Sequence, residues 1–336
     1  MIPGWEGRDA EEWARTLGVP WLELHAEVGS TNARLRSAAA PFTTAAAPFA
    51  PAAVPFAPAA APVPPAAAPV PPAAPVPPAA PPFTTVVAHA QREGRGREGR
   101  IWHSPAGGGL WISVLLPLPP GGPPGVTPLA VGVATAEAVE AVIGRMGGGR
   151  GFAVGLKWPN DLLVVPDAGM RAFGMTERVG KLAGILCEAV PGGIVAGIGV
   201  NLRAGSDEGA IEEGSGEEGS GEAGSGEAGF PPVHLERLAG RAVSPSELAG
   251  LLIPALRRWA DPPPDRLEGA LREAWDARDL LRGTRVRVTP GVLAPGRTGP
   301  RGRVRGVGED GSLLVEDEVT GETASVRAGQ VRWVEP

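Results

Sequence analysis

Three arginines alternate with glycines in residues 91–105, at Arg95, Arg97 and Arg100. Glycine lets the backbone approach a ligand closely. The planar guanidinium group of arginine offers a fork of donors that fits phosphate or carboxylate. The pattern therefore predicts a loop that wraps an anion. Arginine and glycine also recur in disordered RNA-binding segments, so an RNA-binding module is the competing interpretation.

Two predicted strands would hold this loop in place. Residues 85–90 precede the loop, and the apolar run at 110–116 follows it and has the length of a buried strand. Trp102 lies between the loop and the second strand, where a large ring would anchor the loop to a core. No further arginine–glycine repeat follows, which favours an ordered anion-binding loop.

A second polar group, Ser30-Thr31-Asn32, follows a segment that alternates apolar and polar side chains at 21–28. That alternation is typical of a strand, and Ser30 or Thr31 is predicted to cap the helix that comes next. Capping alone explains why these residue types stand here, so from the residues alone it is the favoured role.

Further polar side chains stand at the ends of predicted strands. Lys157 and Asp161 flank a Trp-Pro-Asn turn whose residue types suit a hairpin. Lys181 begins an apolar strand, and Asn201 ends the next one. A lysine in such a place more often extends its ammonium group to solvent than acts in catalysis. These residues are nevertheless candidates for ligand contact.

Two stretches lack the composition of folded protein. Residues 38–82 are almost wholly Ala, Pro, Val and Phe. Because proline lacks an amide donor, we interpret them as a polyproline-like or disordered insert. Residues 203–229 repeat glycine, serine and glutamate and are interpreted as a flexible acidic linker.

The remaining segments predict helices and then a run of strands. The predicted helices lie at 5–17, from an N-cap at Thr127 to the glycines at 147–149, from a capping box at Ser244 with a kink or interruption at Pro254, and at 266–282. From residue 283 onward the pattern changes to short strands at 285–289, 302–307, 312–316, 323–327 and 331–334. Their lengths predict a small closed β-barrel.

Composition excludes several classes of protein. The formal net charge is −6, but residues 207–228 carry eight acidic side chains and no basic one, so the remainder is +2. That near-neutral remainder indicates no large basic surface for duplex DNA. A single cysteine, Cys187, excludes an internal disulfide and predicts a cytoplasmic location. It is expected to be a buried side chain rather than a nucleophile. No apolar run is predicted to reach the ~18 residues of a membrane span.

Taken in order along the chain, these motifs resemble those of the biotin protein ligases, also called biotin–acetyl-CoA-carboxylase ligases. The resemblance covers about residues 20–202 apart from the insert, and a C-terminal barrel like that family's small SH3-like domain. It is carried by five segments: 29–32, Gln91 with 94–100, 157–161, 181–186 and 197–201. The chain resembles the monofunctional type, which lacks a DNA-binding helix-turn-helix.

The resemblance implies an α/β fold of the α+β type, with a mixed sheet, packed helices and a following barrel. The implied domains are a catalytic domain at 1–282, which contains both inserted stretches, and an SH3-like barrel at 283–336. The implied reaction uses ATP, Mg²⁺ and biotin to form biotinyl-5′-AMP, with no tightly bound prosthetic group. Biotin then passes to one lysine of a biotin carboxyl carrier protein domain, on acetyl-CoA carboxylase or a related carboxylase. DNA and membranes are not expected partners, and family members are monomers or homodimers.

The resemblance also carries roles over to single residues. Arg95, Arg97 and Lys181 are the implied catalytic residues. The implied biotin contacts are Ser30, Thr31, Asn32, Gln91, Arg95, Gly96, Arg97, Lys181 and Gly184. The implied nucleotide contacts are Arg97, Arg100, Trp102, Lys157, Asn160, Asn201 and Phe230. Asp161 is the implied metal-side group.

Two alternatives stay open from sequence. A lipoate or octanoyl ligase or transferase shares the fold, although the loop followed by Trp102 and the turn at 157–161 favour biotin. An RNA-binding module built from the arginine–glycine loop and the barrel predicts salt-sensitive RNA affinity. The near-neutral charge outside the acidic linker argues against that module.

Overall fold

The computed structural model describes residues 5–39, 80–119, 125–144, 151–166, 179–204, 230–289 and 299–334. Most of the proline-rich insert predicted at 38–82 and of the acidic linker predicted at 203–229 therefore lies outside the described residues. So do the glycines at 147–149 that were predicted to end a helix.

The elements follow one another as a helix-and-strand half and then a strand-rich C-terminal part. The helices are α1 Ala10–Leu17, α2 Thr31–Ala39, α3 Thr127–Gly144, α4 Leu235–Ala239, α5 Pro245–Ala260 and α6 Gly269–Asp276. The first seven strands are β1 Leu22–Val28, β2 Thr85–Gln91, β3 Gly109–Pro117, β4 Phe152–Lys157, β5 Asp161–Pro166, β6 Gly180–Val190 and β7 Gly193–Asn201. The C-terminal strands are β8 Arg285–Thr289, β9 Arg301–Val307, β10 Leu313–Glu316, β11 Thr323–Val326 and β12 Gln330–Trp333.

The larger sheet has seven strands in the order β1-β2-β3-β7-β6-β5-β4. Only β1 and β2 run parallel, and the other neighbours are antiparallel. The sheet is therefore mixed, as predicted. Val28 of β1 pairs with Gln91 of β2, so the turn after β1 and the loop after β2 leave the sheet at the same end of these parallel strands. This topology brings two of the predicted motifs together.

Helix α3 covers one face of this sheet and packs against α5. It is 18 residues long and apolar enough to cross a membrane by length and composition, which corrects the prediction that no apolar run has that length. Two thirds of it is buried inside the protein. Val131, Val133 and Val139 each have no exposed surface. Its apolar composition is thus that of a core helix enclosed on several sides.

The structure shortens two predicted helices. The N-terminal helix begins at Ala10 rather than at residue 5, because the Asp9 side chain accepts a hydrogen bond from Glu12 N and forms a capping box with it. The helix predicted at 266–282 covers only Gly269–Asp276. Beyond it the backbone runs beside β4, where Leu156 N donates to Arg278 O and Leu280 N donates to Leu156 O. Pairing with a sheet edge thus replaces the last predicted turns.

Two other helix predictions differ in detail. Thr127 was predicted as an N-cap, but it is the first residue of α3 and its buried hydroxyl has no hydrogen-bond partner among the described residues. Ser244 does cap α5, with its hydroxyl accepting from Glu247 N. Helix α5 continues through Pro254 as one element, so of the two predicted effects of this proline the interruption is wrong and the kink stays a prediction.

The C-terminal strands form a five-stranded antiparallel sheet in the order β11-β10-β9-β8-β12. All five predicted strands are present within one residue of their expected bounds. Val286, Val304 and Val315 on its inner face belong to the same apolar core as the larger sheet. The two sheets are also joined by Trp158, whose ring nitrogen donates to Gly311 O at 2.9 Å. The C-terminal sheet is therefore packed directly beside the predicted site residues.

Candidate active site

A cleft of about 750 Å³ lies where the polar motifs meet. The turn after β1, the arginine–glycine loop, the start of β6 and the middle of β7 all contribute to its walls. The predicted site residues that line it are Ser30, Thr31, Asn32, Gln91, Arg95, Gly96, Arg97, Arg100, Trp102, Asn160, Asp161, Lys181 and Gly184. Side chains from segments up to 154 residues apart in sequence therefore converge on one site.

At one end of the cleft, Gln91 holds the Ser-Thr-Asn turn. Its side-chain oxygen accepts from Thr31 N at 2.9 Å and lies 3.1 Å from the Thr31 hydroxyl. Its side-chain nitrogen donates to Ser104 Oγ at 2.8 Å. Ser30 takes the predicted capping position, with its hydroxyl 3.4 Å from Ala33 N. The parallel pairing of β1 and β2 places these groups together.

Sequence reasoning missed Ser113, which lies in the middle of β3 with no exposed surface. Its hydroxyl oxygen is 2.8 Å from Thr31 Oγ1 and 2.6 Å from Asn32 Oδ1. Ser113 sits within an apolar run, so its neighbours in sequence gave no functional signal. A polar residue in the centre of a buried strand is itself such a signal, because a buried hydroxyl needs a partner.

The amide of Asn32 is held on both sides. Its nitrogen donates to Leu186 O at 3.2 Å and to Glu188 Oε2 at 2.9 Å, while its oxygen faces Ser113. A methyl group on Gly197 would lie 2.0 Å from Asn32 Oδ1. Only glycine at position 197 therefore leaves room for this side chain, which explains one glycine of the motif at 197–201.

Two further glycines make room for Trp102. Gly184 and Gly199 are direct partners across β6 and β7. A methyl group would lie 2.9 Å from the Trp102 ring at Gly184 and 2.5 Å from Trp102 Nε1 at Gly199. Trp102 is 8% exposed, and its ring nitrogen has no hydrogen-bond partner among the described residues. The indole ring lies on the glycine pair and anchors the loop, as predicted from its position in the sequence.

At the other end of the cleft, Lys181 and Asp161 form a buried ion pair. Lys181 Nζ lies 2.8 Å from Asp161 Oδ1 and 5.4 Å from the centre of the Trp102 ring. Lys157 Nζ lies 3.9 Å from the other oxygen of the same carboxylate. All three side chains are less than 10% exposed. Counted over the described side chains of this group, two ammonium groups and one carboxylate give a net positive charge, which favours an anion.

The arginine–glycine loop closes on itself above these groups. Gly96 N donates to Arg100 O, and Trp102 N donates to Gly94 O. Glu98 takes the left-handed backbone conformation with φ of 59°. Its carboxylate accepts from Arg100 at 3.1 Å and from Gln330 Nε2 of the C-terminal sheet at 3.1 Å. Gln330 also lines the cleft, so the C-terminal sheet contributes to the site.

Three predicted nucleotide contacts do not line the cleft, and their contact with a nucleotide stays a prediction. Lys157 lies about 6 Å from the ring centres of Phe230 and Trp333 and faces Asp161 from behind. Asn201 Nδ2 donates to Lys181 O at 3.2 Å. Phe230 packs edge-on against Trp333, with ring centres 5.2 Å apart. Packing and hydrogen bonds direct these three side chains away from the cleft, so they contact its wall residues on the side that does not face the cleft.

The part of the chain that the structure describes does not form a resident metal site. Among the described residues there is no group of three or more His, Cys, Asp or Glu side chains that could hold an ion. Asp161, the predicted metal-side group, faces Lys181 and Lys157 instead. A magnesium ion usually brings several waters and binds through one or two carboxylates together with substrate phosphates. The site therefore fits a magnesium ion that enters with a nucleotide and does not fit a permanent protein cage.

Cys187, on β6, is not part of the cleft lining. Burial, with a smaller effect of the neighbouring Glu188, raises the pKa of its thiol to about 12. Because the thiolate is the reactive form, Cys187 is unreactive at neutral pH, as predicted, but its side chain is half-buried rather than fully buried.

Comparison with known proteins gives the class of this fold and site. Residues 79–204 match the Biotin/lipoate A/B protein ligase family. This segment contains the arginine–glycine loop, the Lys-Trp-Pro-Asn-Asp turn and the two glycine-bearing strands.

Curated relatives match over a longer part of the chain. The biotin–[acetyl-CoA-carboxylase] ligase of Paracoccus denitrificans is 31% identical over 237 residues, which are 68% of this chain and 82% of the relative. The enzyme of the same name from Mycobacterium tuberculosis is 30% identical over 248 residues, 73% of this chain and 77% of the relative. The chain belongs to the biotin–[acetyl-CoA-carboxylase] ligase family.

The fold agrees with this assignment. A biotin protein ligase from Aquifex aeolicus, solved in complex with biotin and ATP, matches with a TM-score of 0.54 and 20% identity. The match covers 94% of this chain and 99% of that one. At this identity the likeness establishes the fold, and the predicted mixed α/β architecture is confirmed.

Proposed function

We propose that this protein activates biotin with ATP and transfers it to a lysine of a biotin carboxyl carrier protein domain. The observation that carries the proposal is the buried, net-positive Lys181–Asp161–Lys157 group at one end of a cleft whose other end presents uncharged polar groups. Biotin has that polarity, with a carboxylate at one end and a neutral ureido ring at the other. Membership of the ligase family supports the same substrate over lipoate and over an RNA-binding role.

Two covalent steps make up the proposed reaction. A carboxylate oxygen of biotin attacks the α-phosphorus of ATP, the bond to the β-phosphate oxygen breaks, and pyrophosphate leaves. The ε-amine of the carrier lysine then attacks the acyl carbon, AMP leaves, and the amine proton is lost. Neither step needs a nucleophile from this chain. The protein contributes by orienting the reactants and neutralising charge.

We assign the neutral end of the cleft to the ureido ring. Ser30, Thr31, Asn32 and Gln91 offer both donors and acceptors there, and a ring with paired N–H and C=O groups needs both. A site built of satisfied polar groups rejects an acid that lacks them, because its own groups are then left unpaired. Lipoate has a disulfide ring with no such donors, so this end of the cleft favours biotin.

We assign Lys181 to the reacting centre. Its ammonium group would contact the biotin carboxylate or the α-phosphate, where negative charge accumulates as the two approach. Asp161, with Lys157 behind it, positions the ammonium, and the amide of Asn201 holds the backbone of Lys181. Gly184 leaves space for the ring of Trp102 beside this centre.

We assign the arginine–glycine loop to the adenylate. Arg95, Gly96 and Arg97 border the cleft and would hold the intermediate and shield it, since a mixed anhydride open to water hydrolyses. Arg100, Trp102 and Asn160 line the same wall and would contact the nucleotide. Phe230 supports this wall through Trp333. Magnesium enters with the ATP phosphates.

The remaining assignments concern the whole chain. We propose a catalytic domain at 1–282 and an SH3-like domain at 283–336, supported by the change from the mixed sheet to five short antiparallel strands. The edge strands β11 and β12 do not pair in the described residues, so such a barrel would be partly open. A homodimer through a free sheet edge and a cytoplasmic location stay predictions.

Transfer to a carrier domain tests the proposed function. The purified chain is incubated with ATP, Mg²⁺, a carboxylase carrier domain and a mixture of biotin and lipoate, and any modified lysine is identified by mass spectrometry. A carrier domain with that lysine replaced by arginine is the matched control. We expect modification of the first domain alone. Lipoylation of the carrier, or no modification at any concentration, would contradict the proposal.

A further inference from the structure

The outer face of the C-terminal sheet carries a row of arginines on three neighbouring strands. Arg287 of β8 pairs directly with Arg301 of β9 on one side and with Arg332 of β12 on the other. All three side chains are exposed. Residues directly opposite each other in antiparallel strands project to the same side, with Cβ atoms about 5 Å apart, and like charges in such positions repel.

The nearby arginines of the same sheet have acidic partners. Arg285 lies 2.8 Å and Arg303 3.5 Å from Glu318, and Arg305 pairs with Glu316. In the described ranges, by contrast, Arg287, Arg301 and Arg332 form no ion pair and no side-chain hydrogen bond. The sheet thus concentrates three positive charges that nothing in the described part of the chain compensates.

The sequence contains a segment of opposite charge that precedes Phe230 along the chain. Residues 207–228 carry eight acidic side chains and no basic one. The described chain resumes at Phe230, whose ring contacts Trp333 at 5.2 Å between centres. Trp333 follows Arg332 on the edge strand β12, so its side chain lies on the opposite face from the row, and the path from Phe230 to the row passes around the strand edge.

We propose that the row formed by Arg287, Arg301 and Arg332 binds the acidic segment 207–228 of the same chain. The tether at Phe230 holds the acidic side chains at a local concentration on the order of millimolar, so weak individual contacts suffice. The contacts are between exposed charges, and salt screens them over a Debye length of about 10 Å at 0.1 M. The inference does not depend on the proposed enzymatic function.

Cleavage by a glutamate-specific protease tests this contact in the full-length protein. Mass spectrometry measures the cut rates after the glutamates between 212 and 227, each divided by the rate for a free peptide of the same sequence under the same conditions. That division removes the effect of salt on the protease. We expect wild-type protein to be cut more slowly at low salt than at 0.5 M NaCl, by about threefold to tenfold, because cleavage tracks the unbound population.

The row is removed by the triple change Arg287→Gln, Arg301→Gln and Arg332→Gln. This variant should be cut at low salt as fast as the wild type at high salt. The melting temperature is measured alongside, and if the triple variant does not fold, the single change Arg332→Gln takes its place with a smaller expected increase.

The matched control changes Arg285, Arg303 and Arg305 to glutamine, which removes the same charge from the same sheet. Because these arginines already have acidic partners, the control should keep the wild-type rate at low salt. Equal acceleration in both triple variants would show a general charge effect and overturn the assignment. Cut rates that match the free peptide in every form and at every salt concentration would also overturn it. In that case the row would be free for another polyanion, an acidic protein surface or a nucleic-acid backbone.

Discussion

At the scale of single residues, the polar end of the cleft has fewer hydroxyl protons than short contacts that a proton could occupy. Three short contacts join Ser113 to Asn32, Ser113 to Thr31 and Thr31 to Gln91. The amide oxygens carry no proton, so the two hydroxyl groups supply two protons for three contacts. Ser113 thereby influences whether Thr31 presents a donor or an acceptor to the cleft.

We expect Ser113→Ala to raise the KM for biotin by about tenfold, with the KM for ATP changed less than twofold. Removing the hydroxyl leaves Asn32 Oδ1 without its donor, a loss of about 1–3 kcal/mol at a buried group. Thr135→Val is the matched control, because Thr135 is a buried hydroxyl that bonds its own helix at Val131 O, 2.7 Å away. Equal changes in both KM values for Ser113→Ala would point to a general loss of structure.

Lys181 is the second residue whose role can be isolated. Lys181→Met should lower kcat/KM for adenylate formation by about 10²–10³, the range for removing one preorganised group at a reacting centre. Lys157→Met removes the other ammonium group that faces the Asp161 carboxylate, the one that does not line the cleft. It should cost much less, because Lys157 does not line the cleft. A loss for Lys157→Met as large as that for Lys181→Met would contradict the assignment.

At the scale of elements, two glycines facing each other on β6 and β7 determine where the arginine–glycine loop can rest. Gly199→Ala would place a methyl group 2.5 Å from Trp102 Nε1 and displace the ring. We expect biotinyl-AMP to dissociate at least about tenfold faster, a change of 1.4 kcal/mol, as measured by release of radiolabelled adenylate. Gly250→Ala in α5, where nothing lies within 4 Å, is the control and should leave release unchanged. Release at the wild-type rate from Gly199→Ala would refute the anchoring role of Trp102.

Helix α2 is tied to β1 by a two-pronged ion pair between Arg34 and Glu23, at 2.7 and 2.9 Å. Burial alone would raise the pKa of Glu23, but hydrogen bonds from His25 and Arg34 outweigh it and lower the pKa from 4.5 to about 2. The stabilisation is therefore complete above pH 4.5 and is lost as the pH falls toward 2. Glu23→Gln should destabilise the fold by about 1.5–3 kcal/mol at pH 7 and by less at pH 3.

Urea unfolding at the two pH values measures this difference. Glu11→Gln breaks an exposed pair with Arg15 and serves as the control, with little effect expected at either pH. A Glu23→Gln penalty that does not change between pH 7 and pH 3 would show that charge is not its cause.

At the scale of the whole molecule, the strands and their order along the chain were predictable because each has a clear apolar pattern. Seven strands of the larger sheet and five of the smaller one were expected within a few residues. The pairing of distant strands was not predictable, and it decides the cleft. Gln330 became visible as a cleft residue, and Ser113 as the buried partner of Thr31 and Asn32, only when β12 reached the loop and β3 lay beside β7. The helix predicted at 266–282 ends early for a related reason, since the backbone of residues 278–280 forms hydrogen bonds with the free edge of β4 instead of continuing the helix.

Pyrophosphate exchange tests the central claim about the molecule most directly. Wild-type protein is incubated with ATP, Mg²⁺ and labelled pyrophosphate, with either biotin or lipoate as the sole carboxylic acid, and label entering ATP is measured. We predict exchange with biotin and none with lipoate, because our assignment places the carboxylate at Lys181 and a polar ring at Asn32. Exchange with lipoate alone would contradict the specificity. No exchange with either acid, in protein shown to be folded, would contradict the proposed reaction itself.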